Sequence, residues 1–276
     1  MSGGFFEGAA AAGGHEPPDV DTSVAHQARV YDYLIGGKDN FAADRKMGDM
    51  VIETNPNLVA TARANREFLG RAVRFLATEA GIRQFLDVGT GIPAANNTHE
   101  VAQAVAPESR VVYVDNDPIV LVHARALLAS TPEGKTAYLD ADARNPGPIL
   151  AQAAKTLDFS QPVAIMLLSI LQVLDDPYAL ASTLLDAVPA GSYLSITIPA
   201  SDIQAEAQAA LARRVAEARP EAAALGFRTR AEVTRFFDGL ELMEPGVVPV
   251  NQWRPVPGGT PQAPALPCYG GVGRKR

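Results

Sequence analysis

Phe85-Leu86-Asp87-Val88-Gly89-Thr90-Gly91-Ile92-Pro93 is the stretch whose reading decides the fold. Phe85 to Val88 reads as a buried strand that runs into a tight glycine turn and then a helix. Two glycines one residue apart suit a turn where the backbone takes a positive φ or lets a ligand approach closely. Pro93 suits the first position of the following helix, where a missing N–H costs nothing. The free N–H groups of that helix are expected to point into the crevice at the end of the strand.

Gly89 to Ala94 also fits the loose dinucleotide pattern G-x-G-x-x-G/A, which alone separates few alternatives. Asp87, two residues before the first glycine, separates them better. A carboxylate there repels a pyrophosphate, which counts against an NAD-dependent dehydrogenase, and attracts an ammonium group. S-adenosylmethionine carries an ammonium on its methionine half and has no phosphate. The run of two apolar residues followed by Asp-x-Gly-x-Gly resembles the first motif of Rossmann-like, class I S-adenosylmethionine-dependent methyltransferases. An ordinary strand-to-helix turn with a solvated aspartate is the competing reading.

Upstream, residues 1–18 are rich in Gly and Ala and end in Pro17-Pro18, the composition of a flexible leader. From Asp21 the pattern becomes helical. Asp21, Thr22 or Ser23 is expected to cap a helix carrying Val24, Ala28, Tyr31 and Leu34, which stops at Gly36-Gly37. Further helices are expected from Asp44 to Glu53 and from near Pro56 through Leu76.

The segment Arg29-Val30-Tyr31-Asp32-Tyr33-Leu34-Ile35-Gly36-Gly37-Lys38-Asp39-Asn40-Phe41, taken with Phe85 to Pro93, resembles a bacterial family of S-adenosylmethionine methyltransferases. That family bears an Arg-x-Tyr-Asp-Tyr-Leu-x-Gly-Gly-Lys-Asp-Asn-Phe signature, and the resemblance runs from about Asp21 to Lys275. It implies an α/β fold of the Rossmann-like class I type. The expected sheet is mostly parallel and seven-stranded, with an antiparallel C-terminal edge hairpin. Arg29, Asp32, Lys38, Asp39 and Asn40 are more polar groups than a helix stop requires and point to an N-terminal helical lid, against a packed helix hairpin with a Gly-Gly stop. The lid would span residues 19–80 and the S-adenosylmethionine-binding domain 81–276. The resemblance does not supply a substrate.

Downstream, Arg110 to Asp115 is a β-branched strand, and Asp115 lies 24 residues after Gly91. At that spacing an acidic residue ending the second strand accepts from both ribose hydroxyls. Asp117 is free to cap the helix from Pro118. Thr136 to Leu139 reads as the third strand. By resemblance Asp142 and Ala143 meet the adenine, with Asp140 as the competitor if the register slips. Pro162 to Leu168 reads as a central strand covered on both faces. Ser169 and Gln172 follow it, next to the sulfonium in this fold. Ser192 to Ile198, a helix over Ile203 to Ala218, a capping box at Thr229 to Glu232, and strands near Val247 and Cys268 complete the pattern.

The cofactor-binding residues expected on these grounds are Asp87, Gly89, Thr90, Gly91, Asp115, Asn116, Asp142, Ala143 and Ser169. Tyr33, Lys38, Asn40, Gln172 and Tyr269 are the substrate-side candidates, and no residue stands out as a catalytic acid or base. The sulfonium is already a good leaving group, so rate would come from positioning the nucleophile and excluding water. A non-catalytic protein that holds S-adenosylmethionine or S-adenosylhomocysteine, as a sensor or partner subunit, is the alternative function.

Bulk properties agree. The chain has 276 residues, 47% of them apolar, enough for one large domain with an appendage. A net charge of −7 argues against a broad basic surface for nucleic acid or anionic membrane. The acceptor is therefore expected to be a small molecule. Arg274, Lys275 and Arg276 read as a solvated tail. One cysteine, Cys268, excludes an intrachain disulfide, fits the cytoplasm and reads as core. The four histidines lack ligand spacing, so no metal is expected, and neither a membrane span nor a signal peptide is visible. Oligomeric state is not legible.

Overall fold

A computed structural model describes residues 21–120, 130–219, 225–255 and 264–276. The expected leader, most of the helix from Pro118 and part of the Pro/Gly loop near the C-terminus lie outside the described residues. Three helices come first: α1 (Gln27–Ile35), α2 (Ala42–Thr54) and α3 (Leu58–Thr78). The alternating part follows as β1 (Gln84–Val88), α4 (Thr98–Val105), β2 (Arg110–Asp115), β3 (Lys135–Asp140), α5 (Pro146–Ala153), β4 (Ala164–Leu168), α6 (Pro177–Asp186) and β5 (Tyr193–Pro199). Helices α7 (Ala205–Ala218) and α8 (Arg230–Thr234) lead to the short strands β6 (Leu240–Leu242) and β7 (Val248–Pro249), and then to β8 (Cys268–Lys275).

The sheet runs β3-β2-β1-β4-β5-β8-β6, with β7 pairing β8. From β3 to β5 every pairing is parallel, and β8 runs antiparallel to β5. The order reverses between β1 and β4, and in open α/β sheets the crevice above such a point receives ligands. Residue parity explains the two faces, because successive side chains on a strand point oppositely. Leu86, Val88, Val112, Val114, Ile165 and Leu167 pack on one side with α5 and α6. Phe85, Val111, Tyr113, Ala164 and Met166 pack on the other, under α3 and α4. Asp87 shares parity with Phe85, so its carboxylate lies under α4.

Helix α3 belongs to the core and not to a peripheral layer. Its buried residues recur three and four apart, from Thr61 through Phe68, Ala72 and Phe75 to Leu76. Phe68 and Phe75 meet the fully buried Trp253 edge-on, at ring distances of 5.1 and 6.0 Å.

Several local expectations are corrected. The first helix starts at Gln27 under an N-cap from His26, not at Asp21–Ser23. Asp21 instead folds back on Ser23, whose N–H donates to it at 2.9 Å, and Val24 is exposed. The helix after the glycine turn starts at Thr98, not Pro93, because Asn97 and Glu100 form a capping box there. Residues 92–97 are therefore loop, with Asn96 in the left-handed region at φ 62°. Strand β6 was not anticipated; it flanks β8 on the side away from β5. Arg274 and Lys275 are not a solvated tail. They end β8, and Lys275 Nζ donates to Leu185 O and Val188 O at 2.7 and 2.8 Å.

Candidate functional site

At the tip of β1 the chain turns through Gly89 and Gly91, both left-handed at φ 74° and 68°. A Cβ on Gly89 would stand 2.6 Å from Ile170 Cγ1, so only glycine lets the β4 tip close on the turn. Thr90 Oγ1 donates to Asp87 O at 3.0 Å and tightens it. Asp115, at the tip of β2, reaches across. Its Oδ2 accepts from Gly91 N–H at 2.8 Å and its Oδ1 from Asp117 N–H at 3.0 Å. A carboxylate offers about four acceptor positions, so two remain for a diol.

Asp87 is 4% exposed and meets one side-chain donor, Thr98 Oγ1, at 2.6 Å. Burial pushes its carboxyl up to about 6, against the Thr98 hydrogen bond and the Arg66 charge, with Asp115 adding to the rise. Burial likewise raises Asp115, against the two backbone N–H groups. Two buried carboxylates with no bonded cation among the described residues form a site that favours a cationic, donor-rich ligand. Asp140, last residue of β3, is exposed and in register with Asp115. Asp142 lies beyond it, held by Arg144 N–H at 2.9 Å and the Arg144 guanidinium at 3.0 Å, and Ala143 is buried. Asn116 is exposed.

Above the tips lies α1, fastened at three places. His26 Nδ1 is 2.7 Å from Asp117 Oδ2. Burial raises the Asp117 carboxyl, but the His26 hydrogen bond and charge overcome it and hold it below its ordinary value. Gln27 Nε2 donates to Ser169 O at 3.4 Å. Tyr31 Oη donates to Ala62 O at 2.9 Å and accepts from Asn65 Nδ2 at 3.0 Å. Asn65 Nδ2 also donates to Ser169 Oγ at 3.2 Å, which ties α3, and through Tyr31 α1, to the tip of β4.

The remaining polar residues of the α1–α2 segment brace one another. Arg29 Nε lies 3.2 Å from Asp44 Oδ1, and Asp44 also accepts the N–H groups of His26 and Phe41 at 2.9 and 2.8 Å. Asn40 Nδ2 donates to Asp32 Oδ2 at 2.8 Å, and Tyr33 Oη donates to Asp49 at 2.7 Å. Asn40 and Tyr33 are thus engaged within the segment, and Lys38 is exposed. Gln172 sits at the β4 tip, where its Nε2 donates to Ser169 O at 2.7 Å. Tyr269 lies buried in β8, its hydroxyl raised to about 12 by burial first and then by Asp202.

The structure therefore brings together Asp87, Gly89, Thr90, Gly91, Asp115, Ser169 and Gln172 at the adjoining tips of β1, β2 and β4. It adds His26, Tyr31, Asn65, Thr98 and Asp117, which sequence reasoning missed as site residues. Arg66 joins them, spanning the loop after the turn with hydrogen bonds to Ala95 O at 3.0 Å and Asn96 O at 3.4 Å. Asn65 carried a readable signal: an amide on the buried stripe of α3 needs a polar partner. A depression of about 560 Å³ lies at the opposite end of the sheet, lined by Arg83, Glu108, Arg110 and Arg274 among others. Its arginines and carboxylates neutralise one another, as in the Arg83–Glu108 pair at 2.7 Å. Among the described residues no group of His, Cys, Asp and Glu is arranged to hold a metal ion, and no helix is long and apolar enough to cross a membrane.

Comparison with known proteins gives one family. The profile of the S-adenosyl methyltransferase family matches residues 13–276. A protein of the DUF574 family from Streptomyces avermitilis is 48% identical, with 93% of this chain and 99% of that one covered at a TM-score of 0.88. A protein from Thermobifida fusca, provisionally named a methyltransferase, is 46% identical over 94% of this chain and 98% of its own, at a TM-score of 0.86. The plantazolicin methyltransferase BpumL, solved with S-adenosylhomocysteine, shares the fold at 11% identity and a TM-score of 0.52, over 90% of this chain and 96% of its own. No curated protein matches.

Proposed function

We infer the roles of these residues from one premise: the chain belongs to the S-adenosyl methyltransferase family. It is an S-adenosylmethionine-dependent methyltransferase, and S-adenosylmethionine is its cofactor. The residue roles that follow, and the small-molecule acceptor, are our reading. The observation that carries it is the donor–acceptor match at the strand tips. The ammonium, ribose diol and adenine amino group of S-adenosylmethionine are all donors, and Asp87, Asp115 and Asp142 are all acceptors.

In this reading Asp87 faces the ammonium, Asp115 the ribose and Asp142 with Ala143 the adenine. Gly89, Thr90 and Gly91 shape the turn, and Asn116 and Ser169 border the nucleoside and methionine ends. When bound, the cofactor supplies an electrophilic methyl carbon on a sulfonium. The chain supplies position and dryness. Arg66, whose charge acts on Asp87, is suited to the methionine carboxylate. The moving element is α1 with α2, because α3 is anchored in the core; closure of α1 through His26, Gln27 and Tyr31 excludes water. Tyr33, Lys38 and Asn40 then act on the lid and not on the acceptor, while Gln172 stays on the acceptor side and Tyr269 lines it from β8. A small-molecule acceptor and a cytoplasmic setting fit the acidic surface charge and the single buried thiol of Cys268, raised to about 12 by burial.

Calorimetric titration of wild type and Asp115→Ala with S-adenosylmethionine and S-adenosylhomocysteine tests the assignment. Micromolar binding by wild type and at least a tenfold loss in the folded variant are expected. Unchanged affinity would refute the ribose role.

A further inference from the structure

Among the described residues two buried carbonyl oxygens beside the tip of β4 have no hydrogen-bond partner: Asn65 Oδ1 of α3 and Gln172 Oε1. Their residues are 6% and 5% exposed. The amide orientations are fixed by what surrounds them. Ser169 O only accepts, so the Gln172 amino group must face it, at 2.7 Å. Tyr31 Oη gives its proton to Ala62 O, so it accepts from the Asn65 amino group, which also reaches Ser169 Oγ. Both amides therefore spend their amino groups on Ser169, one on its hydroxyl and one on its carbonyl, and keep their carbonyl oxygens uncommitted beside a residue whose neighbour Ile170 packs over Gly89. Buried acceptors are rarely left unpaired, and two beside one glycine turn mark the place of a ligand with donors.

We propose that Asn65 Oδ1 and Gln172 Oε1 hold the methyl acceptor, and that the acceptor atom is an amine nitrogen whose two N–H groups they receive. This rests on the reading above, in which the β4 tip faces the transferred methyl group. Two acceptors match the two hydrogens of a neutral primary amine, and a hydroxyl has only one. Holding both N–H groups aims the nitrogen lone pair at the methyl carbon. The lone pair forms the N–C bond, the C–S pair stays on sulfur as a neutral thioether, and the nitrogen becomes cationic before losing one proton to solvent. Fixed carbonyl dipoles stabilise that growing positive charge. A hydroxyl acceptor would need a base to take its proton. Among the described residues, no hydrogen bond links Asn65, Ser169 or Gln172 to a carboxylate or imidazole.

The test supplies the full-length enzyme with S-adenosylmethionine carrying a ¹³C methyl group and a bacterial small-molecule extract supplemented with amino acids and polyamines. The carbon chemical shift of the transferred methyl group reports the atom that bears it without naming the substrate. An N-methyl product is expected. An O-, S- or C-methyl product, or no transfer in this amine-replete mixture, overturns the proposal. A second arm reads binding alone. Gln172→Met should keep S-adenosylhomocysteine affinity within threefold of wild type while labelled product falls at least a hundredfold; Asn65→Leu, which also frees Tyr31 and Ser169, should lose product as steeply and cofactor affinity by no more than about fivefold. A tenfold loss of cofactor affinity in both variants would show that the oxygens hold the cofactor's ammonium instead. Failure of the wild type to bind cofactor would count against the cofactor site and not against the acceptor pair.

Discussion

Replacing Asp87 by asparagine should make the empty protein more stable and its cofactor binding worse. Burial lifts the Asp87 carboxyl from 3.8 to about 6. A raised carboxylate means that the folded state holds its proton over a range where the unfolded chain has already released it. Stability therefore falls as pH rises from about 3.8 to 6 and stays low above that. The shift of about two units corresponds to roughly 3 kcal/mol at neutral pH. Asparagine keeps an acceptor for Thr98 and carries no charge, so Asp87→Asn should recover most of this, about 2–3 kcal/mol, at pH 7. The gain should vanish below the ordinary aspartate range, where both side chains are neutral. Urea unfolding of wild type and variant across that range measures it directly. Calorimetry should show S-adenosylmethionine binding weakened roughly tenfold to hundredfold, the worth of a charged hydrogen bond. A variant no more stable than wild type at neutral pH, or a gain independent of pH, would refute the reasoning.

The two turn glycines should respond differently to alanine. Gly91→Ala meets open space and should cost only the backbone penalty, about 1 kcal/mol, whereas Gly89→Ala also drives into Ile170 and should cost about 3 kcal/mol, read from thermal unfolding. His26→Ala removes the link to Asp117; hydrogen exchange in α1 should quicken and cofactor affinity should drop about fivefold, with the unfolding midpoint nearly unchanged. Gly37→Ala would force a methyl group into the Asp32 carboxylate, so limited proteolysis should cut the α1–α2 connection faster than in wild type. Equal cleavage rates would show that this turn tolerates the displacement.

The alternating strands were legible because each carries a physical signature that survives without context. Arg110 to Asp115 is β-branched and bounded by turn residues, and the structure starts and stops β2 at those residues. Asp87 and the glycines were legible because a charged residue beside a turn needs a reason. The start of α4 was misplaced because Pro93 is a permitted but not a compulsory first helical residue, and the Asn97–Glu100 capping box outweighed it. Strand β6 has only three residues, Leu240-Glu241-Leu242, too short a run for its alternation to announce a strand before β8 is placed beside it. The role of His26 was hidden for a different reason. It depends on Asp117, a residue far along the chain, and distance in sequence conceals such pairs.

The position of β8 constrains how the sheet assembles. It enters between β5 and β6, although both precede it in sequence. Until it arrives, β5 presents an open row of peptide groups, and β6 has no strand to pair with among the described residues. The sheet therefore cannot be completed in the order in which the chain is made. A nascent or truncated chain lacking β8 exposes an apolar, unpaired strand edge, the usual template for association with another copy. Production of this protein should thus depend on the terminal strand being left intact, more than on any residue of the crevice.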